Sequence, residues 1–263
     1  DLVQEVTSKR KNYLRLKFLD HIWALKTKAK LTIMTDDGTK GDEVLALLRP
    51  KKLSVLFIKN GVDLAKVENV QRENYPVNHL SEDIIFSSVS RLQRWKRLDR
   101  SIEIFAKVHK NHPNSHYYIC GDGTEMASLR ILVDSLSLQK AITFVGAVDE
   151  EPIYSVLADS DYFLSTYELS NMGNPLFEAI RCNNLVVTID NGDTASMIKD
   201  GVTGIISAEG EYLRNSDKII SYIDNSSQRS QIINAANTAL DQNLVSWQER
   251  MKREYQQVSC LYQ

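Results

Sequence analysis

The sequence predicts an α/β protein whose main body is a parallel sheet with helices on both faces. Three observations carry that expectation. From Ile84 onward, strand-length apolar runs alternate with helix-length amphipathic stretches. The runs close on turn-forming residues, as at Gly121-Asp122-Gly123 and Asn191-Gly192-Asp193. And 263 residues at 43% hydrophobic and 25% charged are ordinary for a globular chain with room for more than one core. Alternation of this kind marks βαβ units, whose right-handed crossovers gather the strand-to-helix loops at one sheet edge.

Taken in order, residues 1–29 set charges among Leu14, Leu16, Phe18, Leu19, Ile22, Trp23 and Leu25 and read as helical. A short strand over 31–34 closes at Asp36-Asp37-Gly38, a helix over 41–49 ends at Pro50, and a second strand over 54–58 closes at Asn60-Gly61. The polar, Pro76-containing stretch 64–82 reads as a linker. Strands are then expected at 84–90, 116–120, 142–145, 162–165, 185–189 and 204–206, with helices over 98–111, 125–136, 150–158, 175–182 and 195–199 between them. Helices over 211–224, 228–240 and 245–258 finish the chain. The expected division is an incomplete α/β domain (1–63), the linker (64–82), the main sheet domain (83–242) and a terminal helical segment (243–263). Because position 1 is Asp and a helical pattern starts at once, the chain is expected to begin part-way through a longer protein.

Composition removes several function classes. With 32 basic against 34 acidic residues and no long basic run, electrostatic nucleic-acid binding has no footing. No apolar run approaches the roughly 18 to 20 residues of a transmembrane helix, and no signal-like N-terminus is present. Cys120, Cys182 and Cys260 are few and far apart, which fits reduced thiols and a cytoplasmic setting, free or at the periphery of a membrane. The five histidines show no ligand-like pairing, so no metal site is expected, and His109 and His112, at a helix end, are expected to face water. GxSxG, HExxH and P-loop motifs are absent.

Four strand-to-helix loops can carry chemistry. In Ser90-Arg91-Leu92-Gln93-Arg94-Trp95-Lys96-Arg97, four cations crowd a loop that opens onto a helix N-terminus. Charge and dipole there add in favour of an anion, although a solvated basic loop has the same composition. Cys120-Gly121-Asp122-Gly123-Thr124 permits close backbone approach, yet GxG also fits a plain turn. The loop 168–174 leads into Pro175, expected at the first helical position with Asn174 as cap, and free amides there can cradle a phosphate. Glu178, one turn in, suits either a ribose diol or the helix dipole. Residues 190–194 have the composition of an ordinary turn.

Together these segments resemble the donor domain of GT-B glycosyltransferases of the retaining family 4 type, over about 84–207. SRLQRWK is similar to the family's RLxxxKG-like diphosphate clamp, with Arg91 and Lys96 five apart. CGDGTE, ITFVGAV, SNMGNPLFEA, DNGDTASMIKDGVTGII and SWQERM follow in the family's order. MTDDGTKGDEV and FIKNGVD resemble the end of the family's acceptor domain, and 245–258 the helix that returns to it.

The resemblance implies a Rossmann-like donor domain beside an incomplete acceptor domain, whose missing segment would be a partner. It implies sugar transfer from a UDP- or GDP-linked donor to a glycan or other hydroxyl acceptor, with no metal or cofactor. Arg91 and Lys96 take the catalytic role by this likeness. Substrate contacts fall to Glu178, Ser170, Asn171, Met172, Gly173, Asn174, Pro175, Leu176 and Gly121, with backbone at Val145 and Gly146 near the base. One departure stands out. The family's two glutamates lie eight positions apart; Glu178 matches the second, but Ser170 stands at the first, and Glu168 is two residues out of register. Alternative readings are a non-catalytic nucleotide-sugar-binding module, or an epimerase or NAD-dependent dehydrogenase on a similar sheet. The dehydrogenase would require a GxGxxG after the first strand of its sheet, where Arg91 and Lys96 stand instead.

Overall fold

The structure, a computed structural model, describes residues 29–38, 41–48, 54–62 and 82–261. The helix expected over 1–28 and the linker over 64–81 lie outside the described residues. In chain order the elements are β1 (Thr32–Asp36), α1 (Gly41–Leu48), β2 (Val55–Lys59), β3 (Ile84–Val89), α2 (Leu98–Asn111), β4 (Ser115–Cys120), α3 (Met126–Ser135), β5 (Ile142–Gly146), α4 (Glu150–Ala158), β6 (Tyr162–Ser165), α5 (Asn174–Arg181), β7 (Leu185–Ile189), α6 (Thr194–Met197), β8 (Ile205–Ser207), α7 (Arg214–Ile223), α8 (Ser226–Asn243) and α9 (Trp247–Ser259).

These elements form two compact units, one ending at Asn243 and containing β3 to α8, the other joining β1, α1 and β2 to α9. In the second of these, β1 and β2 pair in parallel, Thr32 opposite Val55. The return of the chain is fixed by backbone and side chain alike. The Val62 N–H donates to Val245 O at 3.0 Å, and Arg250 Nη1 donates to Asn60 Oδ1 at 2.7 Å. α9 opens with Ser246 accepting the Glu249 N–H at 3.1 Å, one half of a Ser-x-x-Glu capping box.

The larger unit is a six-stranded, all-parallel sheet in the order β5-β4-β3-β6-β7-β8. Its first strand lies in the middle, so the winding reverses between β3 and β6. α2 packs on α3 and α7, while α5 packs on α4 and α8, giving a helical layer to each face. Buried on both sides, β7 (LVVTI) is apolar almost throughout, as a central parallel strand must be. At the middle of the sheet, the fully buried Phe86 stacks on Tyr162 at 4.9 Å and meets Phe105 of α2 edge-on at 5.3 Å.

Several expectations are corrected in detail. α7 begins at Arg214 after a separate 3-10 turn over Glu209–Glu211, and α8 extends to Asn243. His109 is half-buried rather than fully turned to water. Its ring stacks on Phe105, four residues earlier on the same helical face, and Nδ1 lies 3.0 Å from Ser115 Oγ. Burial lowers its pKa, so the neutral ring is favoured.

Candidate functional site

In an open parallel sheet, ligands bind outside the strand ends where the order reverses. Here β3 and β6 are neighbours, and the loops 90–97 and 166–173 leave from that edge.

The first loop is sewn to the end of β4. Ser90 N–H donates to Cys120 O at 3.0 Å and Leu92 N–H to Asp122 O at 2.9 Å, with the Leu92 side chain fully buried as an anchor. Gly121 makes this approach possible. It adopts φ +136°, its N–H donates to Gly146 O at 2.7 Å, and a Cβ there would fall 1.8 Å from Ser90 O. Gly146, at φ +84°, has open space where its side chain would be. Arg91, Gly121, Val145 and Gly146 thus cluster at the ends of β3, β4 and β5.

Beyond Leu92 the expected loop contains one 3-10 turn, Arg94–Lys96, before α2 begins at Leu98. Lys96 Nζ comes to rest 3.6 Å from the ring centroid of Tyr167 and 4.1 Å from that of Trp95. Burial, then the charge of Arg91, lowers the Lys96 pKa to about 8. Among the described residues, no carboxylate pairs with Arg91 or Lys96. Two adjacent cations without a counter-ion, one of them half-desolvated, favour an anionic ligand.

Arg97 follows in the left-handed region at φ 46°, ψ 43°, a conformation that costs a non-glycine residue about 1–2 kcal/mol. Its guanidinium reaches Asp99, with Nη2 at 2.9 Å, and Glu168, with Nη1 at 2.9 Å. These carboxylates hold the Arg97 pKa above its usual range. Glu168 is therefore engaged by Arg97.

The second loop is pinned by Asn171, which is fully buried. Its Oδ1 accepts from Ser165 Oγ at 2.8 Å and Tyr167 N–H at 3.0 Å, and its Nδ2 donates to Ile189 O at 3.1 Å. The Asn171 N–H goes to Thr194 Oγ1 at 3.2 Å, and the Met172 N–H to Ser170 Oγ at 3.1 Å. Residues 190–194 act as a buttress, since Asn191 Nδ2 donates to Tyr167 O at 2.8 Å.

The start of α5 differs from expectation. Gly173 is the cap and Asn174 the first helical residue, so Pro175 stands second. Proline has no N–H, and the Leu176 N–H is taken by Gly173 O at 3.1 Å. The amides left to a ligand are those of Gly173 and Asn174, not the whole run to Leu176. One turn further, half-buried Glu178 accepts from Tyr154 at 3.5 Å. Burial, and secondarily the Glu178 charge, pushes the Cys182 thiol up to about 12 and leaves it inert.

Arg91 and Lys96 are thus brought together, and Gly121, Val145 and Gly146 join them. Glu178 and the amides of Gly173 and Asn174 issue from the neighbouring strand end. Sequence reasoning did not single out Trp95, Tyr167, Arg97 or Tyr154. The one available signal was an aromatic beside each loop's charge, in Trp95-Lys96 and Tyr167-Glu168. A separate cavity of about 320 Å³ opens between Arg94, Arg97, Glu125, Ser128 and Glu168; Arg91, Lys96 and Glu178 do not line it. Among the described residues, no group of three His, Cys, Asp or Glu side chains is placed to hold a metal, and no helix is long and apolar enough to cross a membrane.

A family model described as glycosyl transferases group 1 matches residues 70–239. Among curated proteins, the GPI3 subunit of phosphatidylinositol N-acetylglucosaminyltransferase from Saccharomyces cerevisiae is 28% identical over 122 residues, 46% of this chain and 27% of that one. The alpha-monoglucosyldiacylglycerol synthase of Acholeplasma laidlawii is 25% identical over 146 residues, 56% of this chain and 37% of that one. This chain therefore spans well under half the length of both. Among solved structures, sucrose-phosphate synthase from Thermosynechococcus elongatus superposes with a TM-score of 0.77 at 18% identity, over 99% of this chain and 66% of that one. HepE from Anabaena, in complex with UDP-glucose, superposes with a TM-score of 0.75 at 17% identity, over 97% and 70%. At such identities the likeness to solved structures is one of fold.

Proposed function

Because this chain belongs to the glycosyl transferases group 1 family and has the GT-B glycosyltransferase fold, we propose that it carries the donor half of a hexosyltransferase. The transferase moves a sugar from UDP or GDP to a glycan, lipid-linked or other hydroxyl acceptor, with retention in the manner of family 4. The observation that carries this reading is the couple Arg91 and Lys96, without a carboxylate partner among the described residues, held where the strand order reverses, with Lys96 on Tyr167 of the loop that leads into α5.

In the proposed reaction the bond between the anomeric carbon and the diphosphate oxygen breaks, and its electron pair stays on the leaving oxygen. Arg91, Lys96 and the α5 N-terminus offset the charge that builds there, so no divalent ion is invoked. Glu178 accepts hydrogen bonds from the ribose diol, and the open backbone at Gly146 meets the base. With Ser170 turned to Met172 and Glu168 to Arg97, the donor sugar is read without a carboxylate at position 170. The rest of the acceptor side comes from residues outside the described chain. Two relatives are named for lipid substrates or products, which supports an enzyme that works at the periphery of a membrane.

Calorimetric titration with UDP and GDP tests the reading, followed by sugar transfer in the complete protein. Glu178→Ala is expected to weaken nucleotide binding tenfold or more, from the loss of charge-assisted bonds worth about 1.5–3 kcal/mol. Equal affinity would take Glu178 out of the site. The pH dependence follows from Lys96. Its pKa is about 8 without ligand, and a bound diphosphate raises it, so binding takes up a proton. Affinity is then flat below pH 8 and falls, by up to about tenfold per unit, as pH rises from 8 toward the bound-state value. A flat profile through pH 9.5 would separate Lys96 from the diphosphate.

A binding module without catalysis is the second reading, favoured by the internal use of the Ser170 hydroxyl. Failure of the complete protein to transfer sugar while still binding UDP would select it.

A further inference from the structure

We propose that Arg97 is a positioning residue of the donor site, latching the loop that carries Lys96 to the loop that carries Tyr167. The proposal rests on the transferase reading only for what Lys96 grips. The latch itself stands on geometry within one unit of the chain.

Three consecutive residues of each loop meet in reverse order. Trp95 O accepts the Glu168 N–H at 2.9 Å. Lys96 Nζ lies on the Tyr167 ring at 3.6 Å. Arg97 O accepts from Thr166 Oγ1 at 2.7 Å. The Arg97–Glu168 ion pair, at 2.9 Å, ties the two ends of this zipper diagonally. It is the ion pair that joins the two loops among the described residues. The contacts to Asp99 hold the guanidinium at the start of α2, so Arg97 reaches Glu168 from a fixed base. The backbone at Arg97 is left-handed, where glycine sits without strain. Strain of this kind persists only where surrounding contacts over-determine the conformation. The latch supplies those contacts, and its effect falls on the residue enclosed by the zipper. Without it, the outer edge of the loop lifts and the ammonium leaves the Tyr167 face for water.

Two variants test this without unfolding the sheet. Arg97→Gly keeps the left-handed turn and relieves it; Glu168→Gln keeps the shape and removes the charge. The first readout needs no ligand: NMR titration of Lys96 in the 13C-lysine-labelled chain. Wild type is expected to titrate near pH 8, where burial and Arg91 place it. Both variants should move upward by about one unit or more toward the ordinary lysine value, and the double variant no further than either single one. An unchanged midpoint in both variants overturns the latch, and so does an ordinary midpoint in wild type. The second readout is titration with UDP, expected to weaken about tenfold in each variant. Weaker UDP binding with an unmoved Lys96 midpoint would make Arg97 a direct ligand and likewise overturn the latch. Should wild type bind neither UDP nor GDP, the transferase reading falls, while the lysine titration still decides the latch.

Discussion

Lys96→Ala is expected to lower kcat of the complete transferase at least tenfold. In the proposed reaction the leaving diphosphate gains charge as its bond to the sugar breaks, and a cation placed beforehand loses no energy reorganising around it. Loss of one such electrostatic contact costs about 2–4 kcal/mol of barrier, or roughly 30- to 1,000-fold in rate. The site is built so that this lysine cannot wander. Tyr167 is held by its hydroxyl donating to Val89 O at 3.1 Å, and Trp95 by Nε1 donating to Gln93 Oε1 at 2.8 Å. Those bonds survive the substitution, so the loop should keep its place, while loss of the ammonium lowers UDP affinity as well as kcat. Lys96→Arg is not expected to restore the rate, because a planar fork does not fit a space shaped for a compact ammonium between two rings. Unchanged kcat/KM in Lys96→Ala would remove the residue from the mechanism.

Gly121→Ala should produce the other large effect, this time on both stability and binding. The new methyl would lie 1.8 Å from Ser90 O, and that neighbour is backbone rather than a yielding side chain. The residue would also have to hold φ +136° with a Cβ. Overpacking of about 1–3 kcal/mol and left-handed strain of about 1–2 kcal/mol together suggest roughly 2–5 kcal/mol. Because the displaced atom begins the Arg91 loop, UDP affinity should fall in the same variant. Gly210→Ala is the matched control, with nothing within 4 Å of its added carbon. Urea unfolding and UDP titration measure both effects. Identical midpoints in the two variants would show that the loop yields freely.

The periodic parts of the fold were legible for a physical reason. A strand buried on two faces must be apolar, as Leu185–Ile189 is, and a helix buried on one face must repeat at its own pitch, as Ile102, Phe105 and Val108 do. Arg91 and Lys96 stand out from the four cations of their loop only by the likeness of SRLQRWK to the family's clamp, since composition does not show which cations lack a counter-ion. Partnerships across loops were not legible. Nothing near Lys96 in sequence predicts that Tyr167 will lie under it, since that contact follows from β6 settling beside β3. His109 is only partly exposed, because one face of its ring stacks on Phe105, which the polar character of a helix-end histidine does not reveal. At Pro175 the cap lies one residue earlier than the pattern suggests, and of the three amides over 173–176 that of Leu176 is spent on Gly173 O, leaving two. Asn171 shows the opposite limit, because a residue expected at the ligand spends its amide group on the loop itself.

The sheet is also narrowest where it matters. β3 runs beside β4 from Ile84 to Val89, but it aligns with β6 only at Phe86–Tyr162 and Ser87–Phe163. A few side-chain bonds help, such as Ser88 Oγ to Leu164 O at 2.6 Å. In effect the domain is two three-stranded slabs on a short joint. Any molecule gripped by Arg91 on one slab and by Gly173 on the other bridges that joint and serves as a brace. Occupancy should then slow amide exchange in β3 and β6 well beyond the residues it touches, so that a nucleotide held as proposed would become part of what keeps the domain in one piece.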